Sequence, residues 1–277
     1  MTMLIVGGSG FLGAELVRRA VAAGHTTSAT YSSRPPMDSG QPATWHRLDL
    51  RNPDQLQGVL AEVHPQVVIN ASSGLADWAV TAEGPVRLAL AAARSGSRLI
   101  HVSSDAVFSG RSRVPYDETR LPDPITPYGA AKAAAETGVR LLHADSVVAR
   151  TSLIIGDGQS EHERTVHELA AGTRAGALFT DDIRCPIHVT DLADALLELA
   201  VLDARGIHHF GGADALSRHK LGVLIAGRDG LDASRLPTGL RAESPYPGPL
   251  DVRLDSRATQ RKLSTRLRGA HEFLSPD

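Results

Sequence analysis

The stretch Met3-Leu-Ile-Val-Gly-Gly-Ser-Gly-Phe-Leu-Gly-Ala14 decides the fold. Leu4 to Val6 is a short apolar run of the kind buried as a strand. Gly7, Gly10 and Gly13 follow at a spacing of three, and Leu12, Leu16, Val17, Ala20 and Val21 then recur on one helical face. Gly24 closes that face as a C-cap glycine. Strand, glycine turn and helix together gather free backbone amides and the positive end of a helix dipole at one point, which attracts a pyrophosphate. Glycines let the backbone turn tightly, approach the phosphates and pack helix on strand. An ordinary tight turn does not explain why all three fall where a nucleotide needs them, so the stretch reads as a dinucleotide site.

Working outward, Thr26 to Tyr31 is the second strand. A site selective for NAD places an acid about 20 residues past the glycines to hold the ribose 2′-hydroxyl. Between Glu15 and Asp38 there is no acid; Ser32, Ser33 and Arg34 stand there instead. Hydroxyls and a guanidinium suit a 2′-phosphate, which favours NADP over NAD and makes Arg34 the main contact. Trp45–Leu48 is a third strand ending at Asp49. Asn52-Pro53 is an N-cap followed by proline at the first helical position, opening a helix to Val63. Val67–Asn70 is a buried strand ending in Asn70-Ala-Ser-Ser73, Val80–Ser95 a helix, and Arg98–Val102 a strand ending in Ser103-Ser104-Asp105. A helix over Tyr128–His143 and a strand over Ser146–Arg150 follow.

This alternation calls for an α/β fold, a doubly wound parallel sheet of the Rossmann kind with helices on both faces. Ligands of such sheets sit at the carboxyl ends of the strands, where Gly7, Ser32, Asp49, Asn70 and Ser104 all fall. Beyond Ile155 the alternation loosens into helices near Glu161–Arg174, Asp191–Val201 and Ser217–Ala226, with short strands near Ile187 and Ile207. Residues 1–155 therefore read as an NADP-binding domain. Residues 156–277 read as a smaller C-terminal substrate lobe, segments interleaving, with a small-molecule substrate between the two.

Of 277 residues, 42% are hydrophobic and 22% charged, and the net charge of -2 gives no reason to expect nucleic acid or an anionic membrane. No apolar run is long enough to span a bilayer, and Met1 runs straight into a strand without a basic leader. Cys185, the lone cysteine, excludes an internal disulfide, fits a reducing compartment and reads as a packing residue. A soluble cytoplasmic protein, monomer or homodimer, is expected. Metal is not: His162 and His167 are five apart and share no helical face, and Glu163 with His167 reads as a surface pair. Arg253, Arg257 and Arg261 read as one face of a terminal helix, with Arg253 in reach of a substrate phosphate.

Tyr128-Gly-Ala-Ala-Lys132 carries the chemistry. Residues four apart share a helical face, so phenol and ammonium point the same way. A tyrosine with pKa near 10 is a poor acid or base at neutral pH, and a fixed positive charge moves it down toward a useful value. Ser104, at the end of an adjacent strand, can hydrogen-bond the same carbonyl oxygen. Ser104, Tyr128 and Lys132 together suit hydride delivery to a ketone, with Lys132 also reaching the nicotinamide ribose.

Gly7-x-x-Gly10-x-x-Gly13, Asn70-Ala71, Ser103-Ser104-Asp105 and Tyr128-x-x-x-Lys132 resemble an extended short-chain dehydrogenase/reductase. The set His101-Val-Ser-Ser-Asp-Ala-Val-Phe108, Tyr116-x-Glu118-Thr119, Pro124-x-x-Pro127-Tyr-Gly-x-x-Lys132-x-x-x-Glu136, Val148-x-Arg150-Thr151, Pro186-Ile-His-Val-Thr-Asp-Leu-Ala193, Gly206-Ile-His-His-Phe-Gly-Gly212 and Arg253-Leu-Asp-Ser256 resembles the dTDP-4-dehydrorhamnose reductase family. The resemblance implies an oxidoreductase with Ser104, Tyr128 and Lys132 as catalytic triad. It implies a cofactor touching Phe11, Leu12, Asp49, Leu50, Ala71, Ser72 and the adjoining Ser73, and a nucleotide sugar near Ser104, Asp105 and Arg253. Three departures fall on the substrate side. Ala106 stands where an aromatic residue often follows the aspartate, Ser152-Leu153 where a tryptophan often follows Arg-Thr, and Pro249-Leu-Asp-Val-Arg253 where the family has Arg-Pro. Ala106 disfavours a dehydratase, which needs an extra acid there. The missing acid after the second strand disfavours an epimerase that keeps NAD. Reduction of a keto-sugar nucleotide is the expectation; a different small keto metabolite, or an NADP-binding regulatory subunit, are the alternatives.

Overall fold

The computed structural model describes residues 1–33, 35 and 42–275. Two compact units are built from interleaved segments: residues 1–104, 127–150 and 193–208 form the first, and residues 105–126, 151–192 and 209–277 the second.

The first unit grows from the glycine stretch. Strand β1 (Thr2–Val6) runs into helix α1 (Phe11–Ala22), and β2 (Thr26–Tyr31) and β3 (Thr44–Arg47) follow on one side of β1. Helix α2 (Pro53–Val63) starts where expected: the Asn52 side chain accepts from the amides of Asp54 at 3.0 Å and Gln55 at 3.1 Å. The chain then crosses to the other side of β1 with β4 (Val67–Asn70), helix α3 (Gly84–Ser95), β5 (Arg98–Ser104), helix α4 (Pro127–Leu142) and β6 (Val147–Thr151). The seven-stranded sheet has the order β11-β6-β5-β4-β1-β2-β3, with β11 spanning Gly206–Phe210. Its direction of winding reverses between β1 and β4, whose parallel register pairs Val6 with Asn70. That reversal opens the crevice where such sheets bind ligands. Leu4, Val6, Leu56, Leu60, Val68, Leu88 and Leu99 bury one core from strands and helices together.

One element departs from a plain helix. Ahead of α3 a π-helical turn covers Ala79–Glu83, and the Gly84 amide donates to the Ala79 carbonyl, one residue further back than in an α-helix. Pro85 follows directly. Proline has no N–H to donate four residues back and its ring crowds that carbonyl, so the regular α-helical bond is lost at this point of the chain. Helices α3 and α4 approach closely: a Cβ on Gly138 would lie 2.4 Å from Val86.

In the second unit the strands are short. β7 (Ile154–Ile155) pairs in parallel with β10 (Ile187–His188), β9 (Ile183–Arg184) antiparallel with β12 (Leu216–Ser217), and β8 (Leu178–Phe179) in parallel with β13 (Thr238–Gly239). Helices α5 (Glu161–Ala171) and α7 (Arg218–Arg228) supply Val166, Leu169, Leu221 and Ile225 to its core, whereas α6 (Val189–Val201), which follows β10 in the chain, belongs from residue 193 on to the first unit. No helix among the described residues is long and apolar enough to cross a membrane.

Candidate active site

The glycine turn is shaped as a cradle. Gly7 has φ +80°, and a Cβ there would sit 2.8 Å from the Ser72 Cα. A Cβ on Gly13 would lie 2.0 Å from the Gly7 carbonyl oxygen, so only hydrogen fits between α1 and the turn. The Gly7 amide donates to Thr30 Oγ1 at 3.0 Å, tying the turn to β2. Helix α1 starts at Phe11 with no side-chain cap and no acid in its first turn. Its leading amides and dipole are thus left for an anion, which fits the pyrophosphate of a dinucleotide. Phe11 stands at this lip, 36% exposed, while Leu12 points into the core.

The facing wall comes from β4. Asn70, fully buried, accepts from the Ser72 amide at 3.1 Å and from Ser72 Oγ at 2.6 Å. Ser73 Oγ accepts from the Leu75 amide. Asp49 receives the Arg51 amide at 3.0 Å, and Arg51 reaches on to Asp77 at 2.5 Å. Leu50 lies buried where a Cβ on Gly84 would come within 2.8 Å of it, so it supports the wall from behind. Ser32 and Ser33 are exposed just past β2, and Arg34 lies outside the described residues.

The catalytic set is carried by β5 and α4. Ser104 is the last residue of β5, and Tyr128 and Lys132 lie in the first turns of α4. Lys132 is only 3% exposed; its Nζ donates to the Val102 carbonyl at 3.0 Å and lies 6.0 Å from the centre of the Tyr128 ring. Burial pulls the Lys132 ammonium down to about 8, against an opposing pull from the Glu136 carboxylate. Tyr128 itself is half-buried.

A second layer of polar groups stands behind this set. Asn70 Nδ2 lies 3.2 Å from His101 Nδ1. Because the Asn70 oxygen is taken by Ser72, the amide nitrogen must face the imidazole, which leaves Nδ1 as acceptor and places the ring proton on Nε2. Burial and the nearby Lys132 hold this histidine well below its ordinary pKa, hence neutral. Glu136, one helical turn past Lys132, accepts from Ser103 Oγ and from Arg150, all three buried. Motif reading places Glu136 and Arg150 in the pattern without giving them a task. The available signal is spacing: Lys132 and Glu136 are four apart and share a helical face.

The remaining candidates lie in the second unit. Asp105 is buried, accepts from Ser152 Oγ at 2.7 Å and pairs with Arg184 at 3.6 Å; burial raises its pKa. Arg253 is half-exposed and paired through two nitrogens with Asp251, each at 2.9 Å. It precedes rather than joins the short helix Arg257–Gln260, Arg261 is that helix's C-cap residue, and the last helix, Ala270–Phe273, lies further on, so the three arginines do not form one helical face. Glu163 is not half of a surface pair with His167. It is buried in a capping box with Ser160 and bridged to Arg228 at 2.8 Å, and His167 turns to Asp229 at 2.6 Å. The signal was Ser160-x-x-Glu163, a capping-box pattern. His162 is half-buried beside Arg218, and desolvation pulls its pKa down to about 3. No group of three or more potential metal ligands occurs among the described residues.

The RmlD substrate binding domain model matches residues 1–274. The dTDP-4-dehydrorhamnose reductase of Mycobacterium tuberculosis is 32% identical over 253 residues, covering 89% of this chain and 82% of that protein. The enzyme of the same name from Mycolicibacterium smegmatis is 31% identical over 288 residues, covering 98% and 83%. A crystal structure of dTDP-4-dehydrorhamnose reductase from Bacillus anthracis in complex with NADP has the same fold, with a TM-score of 0.82 over 98% of this chain and 96% of that one at 22% identity. The glycine cradle, the β5 serine and the Tyr128–Lys132 helix thus stand in a chain that belongs to the dTDP-4-dehydrorhamnose reductase (RmlD) family.

Proposed function

We propose that this protein is an NADPH-dependent reductase of a keto group, and that its substrate is a nucleotide-activated 4-keto-6-deoxy sugar. The observation that carries the reading is the buried Lys132 ammonium, aimed at the Tyr128 ring from one turn along the same helix. A lysine is costly to bury, and a surface Tyr-x-x-x-Lys pair has no reason to bury one. The M. tuberculosis and M. smegmatis relatives, both named dTDP-4-dehydrorhamnose reductase, support the substrate class. The uncapped α1 terminus and the glycine cradle support a dinucleotide, and the B. anthracis reductase crystallised with NADP supports the choice of NADP. The lone buried cysteine fits a reducing compartment, and we place the reaction in the cytoplasm.

In this reading NADPH, when bound, supplies the hydride. Gly7, Gly10 and Gly13 would admit its pyrophosphate, with Phe11, Asp49, Ala71, Ser72 and Ser73 beside it, Leu12 and Leu50 packed behind them, and Ser32, Ser33 and Arg34 as candidates for its 2′-phosphate. The Tyr128 hydroxyl gives its proton to the substrate carbonyl oxygen. Ser104 donates a hydrogen bond to that same oxygen and fixes its orientation. Lys132 stabilises the phenolate left on Tyr128 and reaches the nicotinamide ribose. Asp105 and Arg253 remain the candidates on the sugar-nucleotide side, with Arg253→Ala expected to raise the KM for a phosphorylated substrate.

The test is NADPH oxidation followed optically with a dTDP-4-keto-6-deoxy sugar, with NADH as the control. Turnover with preference for NADPH is expected. Tyr128→Phe should lower kcat by about 10²–10⁴-fold, the usual worth of a positioned proton donor, and leave NADPH binding near normal. Retained turnover in Tyr128→Phe overturns the proton-donor role; tight NADPH binding with no turnover in the parent protein points to a regulatory subunit.

A further inference from the structure

Glu136 sits four residues past Lys132 on α4, and its carboxylate is enclosed on every side, the residue being 2% exposed. Oε1 accepts from Ser103 Oγ at 2.5 Å and from Arg150 Nε at 3.0 Å. Oε2 accepts from Arg150 Nη2 at 2.7 Å. Arg150, on β6, is fully buried. One carboxylate therefore joins β5, α4 and β6, and it does so one residue from Ser104 and one helical turn from Lys132. Stability is a weak reason for such a pair, because apolar residues of similar volume usually serve as well or better at a buried site. What apolar residues cannot supply is a negative charge behind a buried ammonium.

The surroundings of Lys132 make that charge matter. The Val102 carbonyl and the Tyr128 ring face its Nζ. His101, behind it on β5, is neutral and offers no counter-charge. Burial pulls the Lys132 ammonium down, and the Glu136 carboxylate is the group that resists that fall.

We propose that Glu136 is a positioning residue for the reaction: it locks the strand end that carries Ser104 to the helix that carries Tyr128 and Lys132, and it sets a buried negative charge one helical turn from Lys132. The inference rests on the roles just proposed for Tyr128 and Lys132. The reaction needs two protons in place, one on the Tyr128 hydroxyl that is given to the carbonyl and one on the Lys132 amine that stabilises the phenolate left behind. A more positive local potential makes the first proton leave at lower pH; a more negative one delays it.

The experiment is the pH profile of kcat/KM for NADPH-dependent reduction in the full-length protein. Glu136→Gln keeps the side-chain shape, removes the charge and leaves Arg150 uncompensated. Its high-pH limb should move down by about one pH unit, on the scale of removing a unit charge one helical turn from Lys132. Arg150→Met removes the positive charge and keeps the Glu136 side chain, and should move the limb up, so the two variants differ in sign. Arg150→Met carries the test should Glu136→Gln fail to fold. Ser103→Ala breaks one bond of the lock without altering charge, and should lower kcat several-fold with the limb unmoved. A merely structural pair would change kcat or stability and leave the limb in place. An unmoved limb in a folded charge variant overturns the proposal while the reductase reading stands. A parent protein with no turnover overturns both.

Discussion

A lysine at 3% exposure is an expense that the fold accepts at one residue, Lys132. In the unfolded chain its ammonium is solvated and titrates near 10.5; in the folded protein it titrates near 8. Because the folded value is the lower one, the penalty is fully present below pH 8 and is relieved as pH rises from about 8 toward 10.5. Lys132→Met should therefore abolish turnover and raise the melting temperature at pH 7. The gap between variant and parent should shrink as pH rises to 10, a comparison that thermal melts across pH make directly. A constant gap would mean that Lys132 enters the fold without paying for its charge. Tyr128-x-x-x-Lys132 was legible as a pair because four-residue spacing fixes a shared face. That its ammonium is buried, and that Glu136 and Arg150 stand behind it, was not: they come from different elements that meet only in the folded sheet.

At the scale of elements, the glycine turn and the helix caps obey local rules, and their failures should be local as well. Gly13→Ala places a methyl 2.0 Å from the Gly7 carbonyl and must push α1 off the turn. It should weaken NADPH binding at least tenfold by titration, with the β-sheet signal in circular dichroism retained. Helix α5 offers the second case. Ser160 accepts from the Glu163 amide at 3.1 Å, and the Glu163 carboxylate accepts from the amides of Gly158 and Ser160, both at 2.9 Å. Ser160→Ala should cost about 1 kcal/mol in denaturant unfolding, the usual worth of a lost N-cap, with kinetics unchanged. Most element boundaries were within reach of periodicity and capping residues, as Asn52 shows for α2. The π-helical turn at Ala79–Glu83 was not, because hydrophobic spacing alone does not register one extra residue in a turn.

Across the molecule, the two units are held by different means. The first buries a long sheet against helices, so apolar periodicity describes it well. In the second the strands are two residues long, and charge takes over part of the work of the ladder. Asp182, 1% exposed, pairs with Arg184 at 2.9 Å, Arg241 at 3.2 Å and Arg218 at 3.5 Å, and Arg241 stacks over Phe179 at 4.1 Å. Asp182→Asn leaves three clustered guanidiniums without their shared carboxylate. It should destabilise by about 3 kcal/mol or more, as breaking a buried pair does, and lower the melting temperature clearly at low salt. A melt unchanged from the parent would show that the cluster holds nothing together.

The sequence by itself determined the sheet, its winding around β1 and the strand-end location of Gly7, Asn70 and Ser104, because alternating helical and strand periodicities leave few topologies open. It also determined the Tyr128–Lys132 face, which needs only helical spacing. Tertiary structure alone decided the tautomer of His101, the burial of Lys132, the Glu136–Arg150–Ser103 lock, the turn of Glu163 inward to Arg228 and the gathering of arginines around Asp182. Each of these depends on side chains far apart in sequence meeting in a low-dielectric interior, where an unpaired charge or donor is costly and the fold must supply its partner.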